Sequence, residues 1–429
     1  MRAKRQLGTG ILVACITTAC GQTTRNLRED GVSGAAGASG TAASTTVKLT
    51  VYRRDVGPAN AELVAFQDGD GVWTVATGAS GVYYGTASGQ RYGFAAVCAS
   101  AGHFLTYINQ LTVSEAIEVT QGCEIGDAAA SRAYSVSGNV TGLSAGDIAA
   151  VLVGYHAGFS AADGAYAVKT NSGNFDLIAE NLRNAPYKYI LAHNFAVTAN
   201  VTKNLDFAAE GVAAVPHALS LANVDATWTT NVYSRMETAL GTVADFAGGD
   251  STQWLALPVA QIQANDLHSV DVLSVDSSAT KSREVTRYVT TPADLSLTLP
   301  ADLGAVGAQT YVTSPTALVE FNWDAYPSAT AYQMTTGSAF VFSTITTSTG
   351  WLGSSAQYDY RQPDLTALPG WSSSWSPPGK TMFFWKLAAV SSSRGIPGVL
   401  FEPYVLRPTA ALDGSTVQRA QRSGSIDVP

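Results

Sequence analysis

From Thr46 onward the chain alternates apolar and polar positions in short runs. "VKLTVY" (47–52) sets Val47, Leu49 and Val51 against Lys48 and Thr50. "AELVAF", "GVWTVAT", "GVYYGTA", "RYGFAAVC", "FLTYINQLTV" and "AIEVTQGC" follow, and turn residues punctuate them. A period of two is the mark of a strand with one face buried. Nowhere does a long run place apolar residues at i, i+3, i+4 and i+7 between helix caps. Further strand-like runs fill 225–300, among them "TWTTNVYSRM", "LHSVDVLSVD" and "SREVTRYVTT", and 301–410, among them "MFFWKLAAVS". The pattern predicts an all-β chain of tandem antiparallel β-sandwiches, three or four in number.

One stretch interrupts the alternation with possible chemistry. "QDGDG" (67–71) places Asp68 and Asp70 two residues apart between "AELVAF" and "VWTVAT". A helix–loop–helix calcium site needs more carboxylates at alternating positions and a closing bidentate Glu. No Glu follows before Glu115. Asp-Gly between two strand-like runs is a hairpin signal, because Gly accepts the positive φ of the turn. We therefore expect a tight turn and no metal.

The chain is self-similar at about 80 residues. "SGVYYGTASGQRYGFAAV" (80–97) lies over "DGAYAVKTNSGNFDLIAE" (163–180) with a one-residue insertion on each side. Both carry Gly-x-Tyr, then Ser-Gly, then an aromatic that leads a strand. A repeat of this length predicts two copies of one small sandwich, at 46–126 and 132–212. With "VKLTVY" and the strand ending at Cys98, the pattern resembles the carboxypeptidase regulatory-like and transthyretin-like sandwiches. That resemblance implies a Greek-key accessory domain without catalysis. A β-domain is expected at 225–300, closed by Pro292 and Pro300. In 301–410, "FNWDAYPSATAYQM" resembles the B and C strands of a fibronectin type III-like sandwich. The polar tail, 411–429, is expected to be disordered.

The N-terminus has a different pattern. Arg2, Lys4 and Arg5 precede a short, mostly apolar stretch, Leu7–Ala19, that ends in "ITTACGQTT". This is too short to span a bilayer, which takes about 20 residues, and reads as a signal segment, 1–20. A cysteine closing such a segment resembles the lipobox of bacterial lipoproteins, with Cys20 as the lipidated residue. Thr17 departs from the large aliphatic that family has three residues earlier. "LVAC" at Cys15 fits that position better but leaves a very short apolar core, and an ordinary secretory signal is the other alternative. Residues 21–45 are mostly Gly, Ala, Ser and Thr and read as a flexible tether. In the lipoprotein family's sorting logic, Gly21 in place of Asp favours the outer membrane. The resemblance thus implies a lipid-anchored protein at the outer membrane or cell surface. A periplasmic face or secretion are the alternatives.

Composition narrows this further. Charged residues make up 14% of 429, and the net charge is −8. Removing residues 1–20 takes away three basic residues and no acidic ones, leaving −11. An acidic chain argues against nucleic acid as a partner. The exported part retains Cys98 and Cys123, each at the end of a mainly apolar strand face. Export permits a disulfide between them; two buried free thiols are the alternative.

Catalytic motifs are absent. His103, His156, His193, His217 and His268 show no zinc-type spacing, and there is no G-x-S-x-G, phosphate-binding loop or Cys-x-x-Cys. No cofactor is expected. Aromatics are uneven: seven of eight tryptophans lie beyond residue 222. "QYDYRQPDLTALPGWSSSWSPPGK" (357–380) sets Tyr358, Tyr360, Trp371 and Trp375 in a loop-like context. Such rings can present flat faces to a glycan or a protein partner, or fold back into the sandwich edge. The leading expectation is a non-catalytic binding or structural module. The alternatives are a hydrolase with its site in 222–410, and a passive envelope spacer or assembly subunit.

Overall fold

The computed structural model describes residues 44–53, 57–100, 103–123, 132–154, 156–183, 187–246, 250–313, 316–338, 340–377, 382–400 and 410–427. The expected signal segment, Cys15, Cys20 and nearly all of the tether lie outside the described residues. What is described is all-β. The α-helices are two single turns, α1 (Thr349–Leu352) and α2 (Ile396–Val399).

The first sandwich contains β1 (Thr45–Arg53), β2 (Gly57–Pro58), β3 (Leu63–Asp68), β4 (Thr74–Val75), β5 (Thr77–Ala79), β6 (Val82–Ala87), β7 (Arg91–Ser100), β8 (His103–Thr112) and β9 (Glu118–Gly122). Alternation buries Val47, Leu49 and Val51 of β1 completely. β1 pairs antiparallel with β6 and parallel with β9. The facing sheet pairs β3 with β7 and β7 with β8. At Gly85 a Cβ would meet the Phe66 ring at 2.3 Å, so glycine lets the two sheets close at that point. Cys98 and Cys123 form a disulfide with Cα atoms 5.6 Å apart. It ties β7 in one sheet to the residue after β9 in the other. "QDGDG" is the β3–β4 turn, with Gly69 at φ +55°. Its carboxylates go separate ways: Asp68 accepts from Ser88 N, and Asp70 pairs with Arg91.

The second sandwich repeats this connectivity with β10 (Tyr134–Thr141), β11 (Ala149–Val153), β12 (His156–Phe159), β13 (Ala165–Thr170), β14 (Gly173–Asn181), β15 (Lys188–Val197), β16 (Val201–Thr202), β17 (Leu205–Asp206) and β18 (Val212–Ala213). β10 pairs antiparallel with β13 and parallel with β16 and β17; β11 pairs with β14, and β14 with β15. The two self-similar stretches fall on β6–β7 and β13–β14. A third sandwich has the same connectivity: β19 (Val215–Ala222), β20 (Thr229–Glu237), β21 (Val243–Phe246), β22 (Gln253–Ala256), β23 (Leu267–Val275), β24 (Lys281–Val289) and β25 (Leu295–Thr298). Here β19 pairs antiparallel with β22 and parallel with β25, β20 with β23, and β23 with β24.

The fourth sandwich differs. β26 (Val306–Val312), β27 (Leu318–Asp324) and β30 (Gln357–Arg361) form one sheet; β28 (Ala331–Gly337), β29 (Val341–Ser348), β31 (Met382–Ser392) and β32 (Thr416–Asp427) form the other. The last strand corrects an expectation: most of the 411–429 tail is ordered. β32 lies between β24 and β31, antiparallel to both. Its composition is polar, but Val417 and Ala420 are buried and backbone pairing is satisfied on both sides. Arg419 reaches Glu284 at 3.4 Å, and Gln418 donates to Thr298 O.

The first, third and fourth sandwiches are tandem but fused. Each contributes four strands to one twelve-stranded sheet, β21-β20-β23-β24-β32-β31-β28-β29-β8-β7-β3-β4. β29 and β8 join in parallel, with Ile345 opposite Ile108. The covering sheets of the first and fourth lie on opposite faces. Phe94 and Ala96 pack with Val47 and Leu49, whereas Ile108 and Ile345 pack with Phe321 and Trp323. Strand β3 is therefore buried on both faces, which is why Leu63 to Phe66 is a continuous apolar run.

Candidate functional site

Of the four expected binding aromatics, the tyrosines are core residues. "QYDYR" forms β30, and its alternation turns Tyr358 and Tyr360 inward while Gln357, Asp359 and Arg361 face out. Tyr358 lies 5.6 Å from the Trp323 ring and 5.5 Å from Tyr332. Its hydroxyl donates to Gly353 O. The Tyr360 hydroxyl donates to Gln110 Oε1 at 2.6 Å, across the β29–β8 seam, and burial pushes its pKa up. These two rings hold the fourth sandwich together and fasten it to the first. They do not present a flat face to a partner, because a short strand rather than a loop carries them.

The tryptophans are placed differently. The segment Gln362–Pro377 leaves β30 and lies against the sheet, anchored by the buried Leu365 and Leu368. Asp364 accepts from both the backbone N and the hydroxyl of Thr366, which fixes the first bend. A 3₁₀ turn, Ser373–Trp375, follows, capped by the Ser372 hydroxyl. Trp371 and Trp375 meet edge to face with centroids 5.5 Å apart. Trp371 Nε1 donates to Ser376 Oγ at 3.0 Å. Both rings are half-buried, and Trp375 stands 6.5 Å from Phe104 of β8.

Beneath them lies a small cleft of about 20 Å³, room for about one water molecule. Its floor is the β8–β29 seam, where Thr106 and Ser343 are register partners. Both are buried, at 4% exposure each, and both hydroxyl oxygens lack a hydrogen-bond partner among the described residues. A buried polar group without a partner costs about 1–3 kcal/mol. Two on neighbouring strands, beneath one cleft, form an arrangement that folding alone does not favour. Gln362 also lines the cleft, and its Oε1 accepts from Thr336 Oγ1. No lining side chain is Asp, Glu, His, Lys or Arg. The site therefore offers contacts and hydrogen bonds rather than proton transfer.

The sequence reading reached Trp371 and Trp375 but missed Thr106 and Ser343. Their signal is the phase of alternation. Thr106 sits between Phe104 and Ile108, and Ser343 between Val341 and Ile345. A hydroxyl thus occupies an inward position in each strand.

The remaining titratable groups do not converge. Among the described residues no three His, Cys, Asp or Glu are grouped to hold a metal. His103 packs on Phe340, and His217 lies over Trp254. His193 is 3.4 Å from the buried Asp176. His268 is fully buried beside Phe246 and Trp254. Burial, then the neighbouring His217, lowers its pKa to about 3.

No protein-family model and no curated protein matches the chain. Among solved structures the chain is similar to a Ca2+-stabilised adhesin that helps an Antarctic bacterium reach out and bind ice. That similarity has 10% identity, 90% coverage of this chain, 98% of the other, and a TM-score of 0.16. It is also similar to the Bacillus anthracis TIE protein, at 9% identity and a TM-score of 0.16. There the match covers 59% of this chain and about half, 49%, of the other. At such scores neither similarity carries an argument about this chain.

Proposed function

We propose that this chain is a lipid-anchored protein of a bacterial cell envelope, held through Cys20, whose sandwiches act as a non-catalytic binding module. The observation that carries the binding part is the Trp371–Trp375 cleft over two unpartnered hydroxyls. Apolar faces beside unmet hydrogen-bonding groups are what a recognition site supplies. The strand orders support the reading as well. Three sandwiches share the connectivity of the repeat that resembles accessory domains, and the fourth contributes the loop. The site rests on a fused, twelve-stranded sheet, so a rigid element positions it.

The test is saturable binding by the full-length protein, wild type beside Trp375→Ala. Loss of binding with unchanged melting supports the cleft as the recognition surface. Loss of folding in Trp375→Ala assigns the ring to packing, and turnover of a bound ligand returns the hydrolase alternative. The anchor is tested separately. Cys20→Ser releases the protein from cells if Cys20 carries the lipid, and protease shaving of intact against lysed cells reports which face it occupies.

A further inference from the structure

We propose that the aromatic end of the β8–β29 seam is a lipid-contacting tip, which inserts Phe340 and Met382 into the surface of a zwitterionic bilayer. The patch lies on the face of the sheet opposite the Trp371–Trp375 cleft and stands independently of it.

Exposure is the first argument. Phe340 is 63% exposed and Met382 49%, although both are residue types that folding usually buries. They are not isolated. The Phe340 ring lies 5.4 Å from His103, His103 lies 6.4 Å from Phe342, and Phe342 lies 5.6 Å from Phe384. Phe342 alternates with the buried Ser343, which turns its ring to the face away from the cleft. At Gly337 a Cβ would meet Phe342 Cδ1 at 2.6 Å and Phe384 Cζ at 2.9 Å. Glycine there lets both rings lie close over the backbone. The result is one continuous apolar patch.

Position is the second. Phe340 stands in the β28–β29 turn, where its carbonyl accepts from Phe104 N, and Met382 opens β31. The most exposed groups are therefore at the ends of strands. None of the five residues is Asp, Glu, Lys or Arg. Lys386 follows on β31, and Asp427 is the register partner of Met382, so the flanking charges are one of each sign. Such a surface has no electrostatic preference for an anionic or a cationic partner.

Size is the third. A stable protein interface buries about 800 Å² on each side. Two exposed and three half-buried side chains, at roughly 200 Å² for a whole aromatic, fall short of that. A bilayer needs no complementary surface, because insertion gains with each apolar group buried.

The last argument is reach. β1 runs parallel to β9, and β9 leads to Cys123, which is bonded to Cys98 near His103. β1 therefore enters the fold at the end away from the tip. Between Cys20 and Ser44 lie residues 21–43, which can span at most about 80 Å. β1 itself is about 30 Å long. With the anchor proposed above, the tip can still turn back to the same bilayer.

The test uses the full chain with Cys20→Ser, so that no acyl chain masks the effect, and phosphatidylcholine vesicles, read by co-sedimentation. Phe340→Ser should lower partitioning about tenfold and Met382→Ser about fivefold, with unchanged melting. High salt should not weaken binding, since no net charge drives it. Phe159→Ser, which replaces an equally exposed ring of the second sandwich (56%), should have no effect. Vesicle binding that is absent, or unchanged in both tip variants, overturns the proposal. An equal loss in Phe159→Ser overturns it as well. Self-association that Phe340→Ser abolishes, without vesicle binding, gives the patch to a second copy of the chain instead.

Discussion

The first and second sandwiches share one connectivity and use their last long strands in opposite ways. In the first, β8 carries almost no charge and pairs with β29 over seven consecutive residues, Phe104 to Gln110. In the second, β15 is interrupted. His193 and Asn194 stand opposite the single Asp176, a bulge in the β14–β15 ladder, and beyond β15 only two residue pairs join β18. Bulges and charges near an edge discourage further pairing. The second sandwich attaches instead through a face, packing Ile178 and Tyr189 against Met236, Ala244 and Phe246 of the third. One topology thus supports fusion through backbone pairing or docking through side chains. The residues on a single strand decide which.

The largest effect should come from breaking the fused edge. Ile108 is 1% exposed and lies opposite Ile345. Ile108→Asp buries an unpaired carboxylate and should cost about 4 kcal/mol or more, seen as loss of soluble protein or of the cooperative melt. Ala192 holds the corresponding step on β15, opposite Leu177, and is only partly buried. Ala192→Asp should cost about 1 kcal/mol. Equal losses from the two substitutions would refute the comparison. Next is the disulfide, private to the first sandwich. Replacing Cys98 and Cys123 with alanine should cost about 3 kcal/mol, measured by denaturant unfolding, with the second sandwich's transition unmoved.

The docked face carries groups that titrate at acid pH. His268 sits in the third sandwich against Phe246, which also lines the docked interface. Its folded pKa, about 3, lies below the unfolded value of about 6.5. Below pH 6.5 the unfolded chain binds a proton that the folded chain refuses. This contribution is therefore fully present above pH 6.5 and is lost as pH falls towards 3, at about 1.4 kcal/mol per unit. Asp266, buried and near Asp176, has a raised pKa, so its contribution runs the other way. His268→Phe, which keeps an aromatic ring among its neighbours, separates the two. The variant should lose most of the decline in melting temperature between pH 6.5 and 5. An unchanged decline assigns the acid sensitivity elsewhere.

The same contrast shows which parts of the fold were legible. Strands such as β1 and β30 declare themselves by alternation, and Gly-x-Tyr marked the first repeat. The third copy escaped notice because it keeps the connectivity without the Gly-x-Tyr and Ser-Gly landmarks. β32 escaped because alternation detects buried side chains, whereas this strand is held mainly by backbone pairing on both sides. The cleft was half legible. Clustered tryptophans pointed to the loop, but its floor depends on β8 meeting β29 across 237 residues, and no local pattern encodes that pairing. Tyr358 and Tyr360 were misplaced for the opposite reason. The surrounding Pro, Ser and Gly suggested a loop, although five alternating residues were enough for a strand.

The smallest effect tests the bulge itself. Asn194 sits at φ +56°, and its backbone N donates to Asp176 Oδ1 at 2.8 Å. Asparagine tolerates this conformation better than most residues, and glycine adopts it freely. Asn194→Gly should therefore change stability by less than about 0.5 kcal/mol, whereas Asn194→Ala should cost about 1 kcal/mol through backbone strain. Thermal melts of the two variants give the difference directly. If alanine is tolerated as well as glycine, the bulge is not a fixed feature of β15. If the alanine variant instead straightens β15, the strand should acquire the pairing capacity of β8. The protein would then self-associate through that edge, and sedimentation would report a larger dimer fraction than for the parent chain.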